Sequence, residues 1–146
     1  MEQVVARKGI SGGKDAVFDA QVIEATPHRL VSMMFEGVET RISQAKDAME
    51  RKEIALKGEM ISQSITIVDA LRESLNLDDG GNLAENLWLL YEYVAKRLVI
   101  ANSKNSIEML NECNGLLEQV KNAWNEIPME LHAANQQELR SYAVAQ

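Results

Sequence analysis

The chain has 146 residues, a length that suits one domain with a substantial core. Hydrophobic residues make up 46% and charged residues 25%, which excludes both a disordered chain and a chain built of membrane spans. The net charge of −7 argues against nucleic acid and against an anionic membrane surface, since both need clustered Lys and Arg.

Aromatic residues are 5% and prolines number two, a composition that favours helix over sheet. One cysteine, Cys113, allows no intramolecular disulfide and suits a reducing cytoplasm. Residues 1–13 lack the apolar run of a signal peptide, and no stretch has the apolar length of a membrane span. The expectation is a cytoplasmic protein that does not insert into a membrane.

In chain order, residues 1–24 read as a flexible N-terminal arm, rich in glycine at first, with a short amphipathic piece carrying Val17, Phe18 and Val22. Thr26-Pro27 has the form of an N-cap followed by proline at the first helical position. Leu30, Met34, Val38, Ile42, Ala45 and Met49 then repeat every three or four residues, predicting a helix over 27–51. A second helix is predicted over 54–77, with Ile61, Ile65, Val68, Leu71 or Arg72, and Leu75 inward. Gly58 near its start implies a later beginning or a close neighbour.

Asp78-Asp79-Gly80-Gly81 is a stop signal, with a glycine able to take the left-handed conformation that ends a helix. Asn82 with Glu85, three positions on, predicts a capped start for a third helix running to Asn102. Asn105 with Glu108 repeats that pattern before a fourth helix marked by Ile107, Leu110, Leu117, Val120, Trp124 and Ile127. Cys113 or Asn114 fills the missing turn of that stripe, and Pro128 ends the helix. Residues 128–146 form a polar C-terminal tail. Four helices of about twenty residues joined by short turns predict an all-α, antiparallel four-helix bundle over 25–127.

Chemistry is hard to find. The two histidines, His28 and His132, belong to no Glu-x-x-His pair, and Cys-x-x-Cys and His-x-x-x-His are absent. Gly80-Gly81 lacks the Lys-Ser/Thr of a phosphate loop, and Asp78-Asp79 lacks the further ligands of a calcium loop. No cofactor, metal or catalytic residue is expected, and the chain reads as a binding protein rather than an enzyme.

The third helix carries more apolar surface than one packing face needs. Leu83, Leu87, Leu90, Val94, Leu98 and Ala101 form one stripe. Ala84, Trp88, Tyr91, Ala95 and Val99 form a second, and Leu89, Tyr93 and Ile100 lie on another side. Two explanations stand open at this point. The helix is central and buried on several sides, or part of its surface waits for a partner. A self-associating helical adaptor would use the same stripes against its own copy.

The chain resembles the flagellar secretion chaperone family FliS. The resemblance rests on Ala25-Thr26-Pro27-His28-Arg29-Leu30 followed by Met33-Met34-Phe35-Glu36-Gly37, then Gln44-Ala45. It continues through Leu71-Arg72-Glu73-Ser74-Leu75-Asn76 with Gly80-Gly81. Its most characteristic run is Leu83-Ala84-Glu85-Asn86-Leu87, Leu90-Tyr91-Glu92-Tyr93, Arg97-Leu98 and Ala101-Asn102, and Leu116-Leu117 with Ala123-Trp124 closes it. Phe35 departs from the family's usual tyrosine, and the arm is longer and lacks the tyrosine often found there.

The resemblance implies a chaperone that binds the disordered C-terminal segment of flagellin and delivers it to the export gate at the membrane. It implies a guest surface on the second and third helices, where Leu71, Leu75, Tyr91, Val94, Arg97, Leu98, Ala101 and Asn102 are the expected contacts, although Leu87, Leu90, Val94 and Leu98 also read strongly as bundle core. It also implies an arm able to cover the groove through Val17, Phe18, Val22 and Ile23. A homodimer is compatible with this reading.

Overall fold

The computed structural model describes residues 26–75, 77–78 and 81–126. Four helices follow one another: α1 (Pro27–Glu50), α2 (Ile54–Glu73), α3 (Gly81–Lys104) and α4 (Ile107–Asn125). No strand occurs among the described residues. Helix α1 packs on α2 and α4, and α3 packs on the same two, so the helices close a ring around one core. Cross-helix pairs run in opposite sequence directions. His28 meets Trp124 and Lys46 meets Asn111 between α1 and α4. Arg72 meets Glu92 and Lys57 meets Asn102 between α2 and α3. The fold is an antiparallel four-helix bundle.

Local chemistry sets the helix ends. The Thr26 hydroxyl accepts the Arg29 amide at 3.1 Å and Pro27 occupies the first turn, as the sequence predicted. Helices α1 and α3 end in the same hydrogen-bonded motif. After α1, Lys52 takes the left-handed conformation (φ 61°), its amide donates to the Met49 carbonyl, and the Glu53 amide donates to the Ala48 carbonyl. After α3, Asn105 (φ 53°) does the same, with Ser106 donating to the Ala101 carbonyl.

Two predicted caps therefore move. Asn105 ends α3, and Ser106 caps α4 by accepting the Met109 amide at 3.1 Å. Asn82 lies inside α3, because Gly81 at φ 60° carries the chain straight into the helix. Helix α2 stops at Glu73, earlier than its apolar stripe suggested. Beyond it, the Ser74 hydroxyl donates to the Leu71 carbonyl at 2.6 Å, and Leu75 continues to pack on the core from outside the helix.

The core joins Phe35, Val38 and Ile42 of α1 to Ile61, Val68 and Leu71 of α2, and to Leu98 of α3 and Leu110 and Leu117 of α4. Cys113, not Asn114, fills the missing turn of α4. Burial pushes its thiol up to about 12, so it is a small apolar filler at neutral pH. Asn114 sits half-buried with its side-chain oxygen enclosed and unpaired.

One end of the bundle is clasped. The His28 ring stacks parallel to the Trp124 indole with centroids 5.0 Å apart. His28 Nε2 lies 2.8 Å from the Trp124 carbonyl, and the indole N–H donates to the His28 carbonyl at 3.0 Å. Ser32 donates to Asn125 beside it. This clasp fixes the start of α1 against the end of α4.

Candidate binding surface

Helix α3 is where interior and surface diverge from the sequence expectation. Its inward residues are Ala84, Tyr91, Val94, Leu98 and Ala101, and Leu87, Trp88, Leu90 and Ala95 are half-buried. Leu83, Leu89, Tyr93, Val99 and Ile100 are exposed. The core thus lies between the two stripes read from the sequence, rotated by roughly 35° from the first at 100° per residue.

Of the eight expected guest contacts, Leu71, Tyr91, Val94, Leu98 and Ala101 are at most 3% exposed and belong to the core or its immediate packing. Their side chains lie inside the bundle in this arrangement. For Tyr91 the physical reason is the rotation of α3: it turns Tyr91 inward, where burial raises its phenol to about 12, and turns Tyr93 outward in its place. Leu75, Arg97 and Asn102 keep partial exposure. The arm residues Val17, Phe18, Val22 and Ile23 lie outside the described residues.

Two seams flank α3. On the α2 side, Arg72 pairs with Glu92 at 3.1 Å and sets its guanidinium carbon over the Trp88 ring, 3.8 Å from the centroid. This explains why Trp88 is half-buried while Tyr93 is not. Farther along the same seam, Lys57 donates to the Asn102 carbonyl at 3.1 Å and to the Asn105 side chain at 3.2 Å. Between these two polar ties lie Val99, which is 56% exposed, half-buried Ile65 and Ala95, and the side of α2 carrying Gly58. A Cβ at Gly58 would meet nothing within 4 Å, so no neighbour explains this glycine and open space lies beside it. Ile54, at the start of α2, is 75% exposed at this end of the bundle.

On the α4 side, Glu112 gathers three donors. The Tyr93 hydroxyl donates at 2.6 Å, and Arg97 reaches the other carboxylate oxygen through Nε at 2.9 Å and Nη2 at 2.8 Å. Hydrogen bonds from Tyr93 and then Arg97 hold the Glu112 carboxyl below its ordinary value. The same bond raises the Tyr93 phenol. Arg97, one of the expected guest contacts, therefore has an internal partner already in place.

No group of three or more His, Cys, Asp or Glu side chains able to hold a metal occurs among the described residues. No helix among them is long and apolar enough to cross a membrane. The arrangement offers exposed apolar area edged by polar ties.

Comparison with known proteins agrees. The family model described as flagellar protein FliS matches residues 14–131. The chain belongs to the FliS family. It is 43% identical over 122 residues to the flagellar secretion chaperone FliSB of Pseudomonas aeruginosa, covering 84% of this chain and 97% of that protein. It is 35% identical over 126 residues to the flagellar secretion chaperone FliS of Vibrio cholerae, covering 86% and 93%. With the FliS of Salmonella typhimurium it shares 34% identity over 120 residues, covering 82% and 89%. FliS proteins are chaperones, and this chain is a flagellar export chaperone, not an enzyme.

The exposed members of the α3 surface were harder to find than the family. The signal was the 4-3-4-3 spacing of Leu87, Tyr91, Val94, Leu98 and Ala101, which competes in the sequence with the stripe through Leu83 and Leu90. Only the packing of α3 on two neighbours separates them.

Proposed function

We propose that this chain works in the cytoplasm, where it binds the disordered C-terminal segment of flagellin, keeps it from polymerising early and carries it to the export gate at the membrane. The observation that carries this reading is the apolar side of α3 in a FliS-family bundle. Leu89, Tyr93, Val99 and Ile100 stand in solvent on a helix whose inner face already supplies the core. Exposed apolar surface of this kind marks a binding site, and an amphipathic guest helix is its usual complement.

The guest surface in this reading runs along the α2/α3 seam and over the outer side of α3. Val99, Ile100 and Ile54 supply apolar area, Leu75 and Asn102 stand at opposite ends of the seam, and Arg97 serves the outer side. Leu71, Tyr91, Val94, Leu98 and Ala101 support it from beneath. A disordered guest that folds on contact buries on the order of 1,000–3,000 Å² and gives back about 2–5 kcal/mol in ordering. Many shallow apolar contacts therefore suit the task better than one deep pocket.

Calorimetric titration with a peptide of the flagellin C-terminal segment tests the reading. One-to-one binding, weakened by Val99→Asp with helicity retained, is the expected result. A peptide that fails to bind, with light scattering showing the chain paired with its own copy, would replace the reading by self-association.

A further inference from the structure

Separate ties hold the α2/α3 seam, Arg72–Glu92 and Lys57 to Asn102 and Asn105, whereas the α3/α4 seam is tied through one shared acceptor. Tyr93, Arg97 and Glu112 form one strap across it, with Glu112 the shared acceptor. By helical geometry Arg97 stands about 20° around α3 from Leu90, and Leu116 and Met109 stand about 40° and 60° around α4 from Glu112. Leu90, Met109 and Leu116 are half-buried and pack on the core, so apolar side chains line the seam that the strap crosses. The strap is itself accessible: Tyr93 is exposed and Arg97 and Glu112 are partly so. On the other flank, the Arg72–Glu92 pair covers Trp88 but leaves Val99 open.

From this asymmetry we infer that Glu112 is an autoinhibitory contact. In the free chain its carboxylate occupies the donors of Tyr93 and Arg97 and keeps the α3/α4 seam shut. When the guest arrives, the strap swings out, and a backbone carbonyl or acidic side chain of the guest takes Arg97 and Tyr93 in place of Glu112. The seam residues Leu90, Met109 and Leu116 then extend the apolar surface to the far side of α3. This inference rests on the flagellin reading for the identity of the guest, but not for the closure itself.

The test uses the full chain carrying Glu112→Gln, with Glu118→Gln as the control for lost charge on the same helix. Two probes are read: calorimetric affinity for the flagellin C-terminal peptide, and fluorescence of the apolar dye 8-anilinonaphthalene-1-sulfonate. An exposed strap holds weakly, so Glu112→Gln should bind the peptide about two- to fivefold tighter than the parent, with Glu118→Gln unchanged. Dye fluorescence should rise only in Glu112→Gln. Equal or weaker peptide affinity with unchanged dye signal and native helicity overturns the inference. If the parent ignores the peptide while the dye signal still rises in Glu112→Gln, the closure stands and the flagellin reading falls. Should Glu112→Gln lose helicity, Glu112→Ala removes the acceptor while leaving Arg97 and Tyr93 for the guest and favouring helix, and the same outcomes decide.

Discussion

Two valines on α3 give a direct test of which side of the helix does which work. Val94 is fully buried and Val99 is 56% exposed, five residues along the same helix. Replacing each by Ala makes the same chemical change in opposite environments. At Val94 the loss of two buried carbons costs ~1.6 kcal/mol, and the residual cavity adds up to ~1 kcal/mol. Better helix propensity returns ~0.5 kcal/mol, leaving a destabilisation of about 2 kcal/mol. For a chain of this size that is a fall in Tm of about 6–8 °C, read by circular dichroism at 222 nm.

At Val99 no cavity forms, so stability should hold or rise by ~0.5 kcal/mol. Its cost should appear in guest binding instead. Burying the exposed 56% of the same two carbons is worth roughly 0.9 kcal/mol, about fivefold in Kd for the flagellin peptide. If Val99→Ala lowers Tm as much as Val94→Ala, the orientation of α3 described here is wrong. If it leaves both Tm and Kd untouched, the guest does not use this side of the helix.

Three further outcomes follow from local features. Gly58 lies inside α2 with open space where a Cβ would stand, so Gly58→Ala should stabilise by about 1 kcal/mol, measured by urea denaturation. If it also weakens the flagellin peptide, the guest backbone comes close at that point. Lys52 is a non-glycine residue in the left-handed region, so Lys52→Gly should raise stability by about 0.5–1 kcal/mol, and a loss would show that the lysine side chain makes a contact worth more than the strain. Glu112 has a folded-state pKa below its ordinary value of 4.5, so its contribution is present in full above that value and is lost as pH falls through the depressed one. The Tm difference between the parent and Glu112→Gln should therefore be constant from neutral pH to about pH 5 and shrink below pH 4.5, and a difference that grows on acidification would contradict the strap.

Much of the fold was legible from local chemistry. Thr26-Pro27 and the three-four spacing of Val38, Ile42, Ala45 and Met49 act within a few residues, and each did in the structure what its chemistry predicted, whereas Gly81 takes the left-handed conformation at the start of α3 rather than at the end of α2. Misplaced features were those decided by competition between neighbours. Asn105 and Ser106 can each cap α4, and the choice went to Ser106 because the end of α3 needed a left-handed residue at 105. Asparagine tolerates that conformation better than serine.

The surface was less legible for a related reason. A helix with apolar residues on three sides has no single inward direction written into its periodicity. Tyr91 and Tyr93 are two residues apart in one run, and periodicity treats both as candidates for either role. Helix α3 packs on α2 and on α4 at once, and both contacts are met only with Tyr91, Val94 and Leu98 inward. That turns Tyr93 toward Glu112 and leaves Val99 in solvent. The sequence by itself determined the four helices, their order and the family, because local propensity, capping and motif order depend on near neighbours. Only the tertiary structure decided which apolar residues of α3 are core and which are left for a partner, because burial depends on what the other helices leave uncovered.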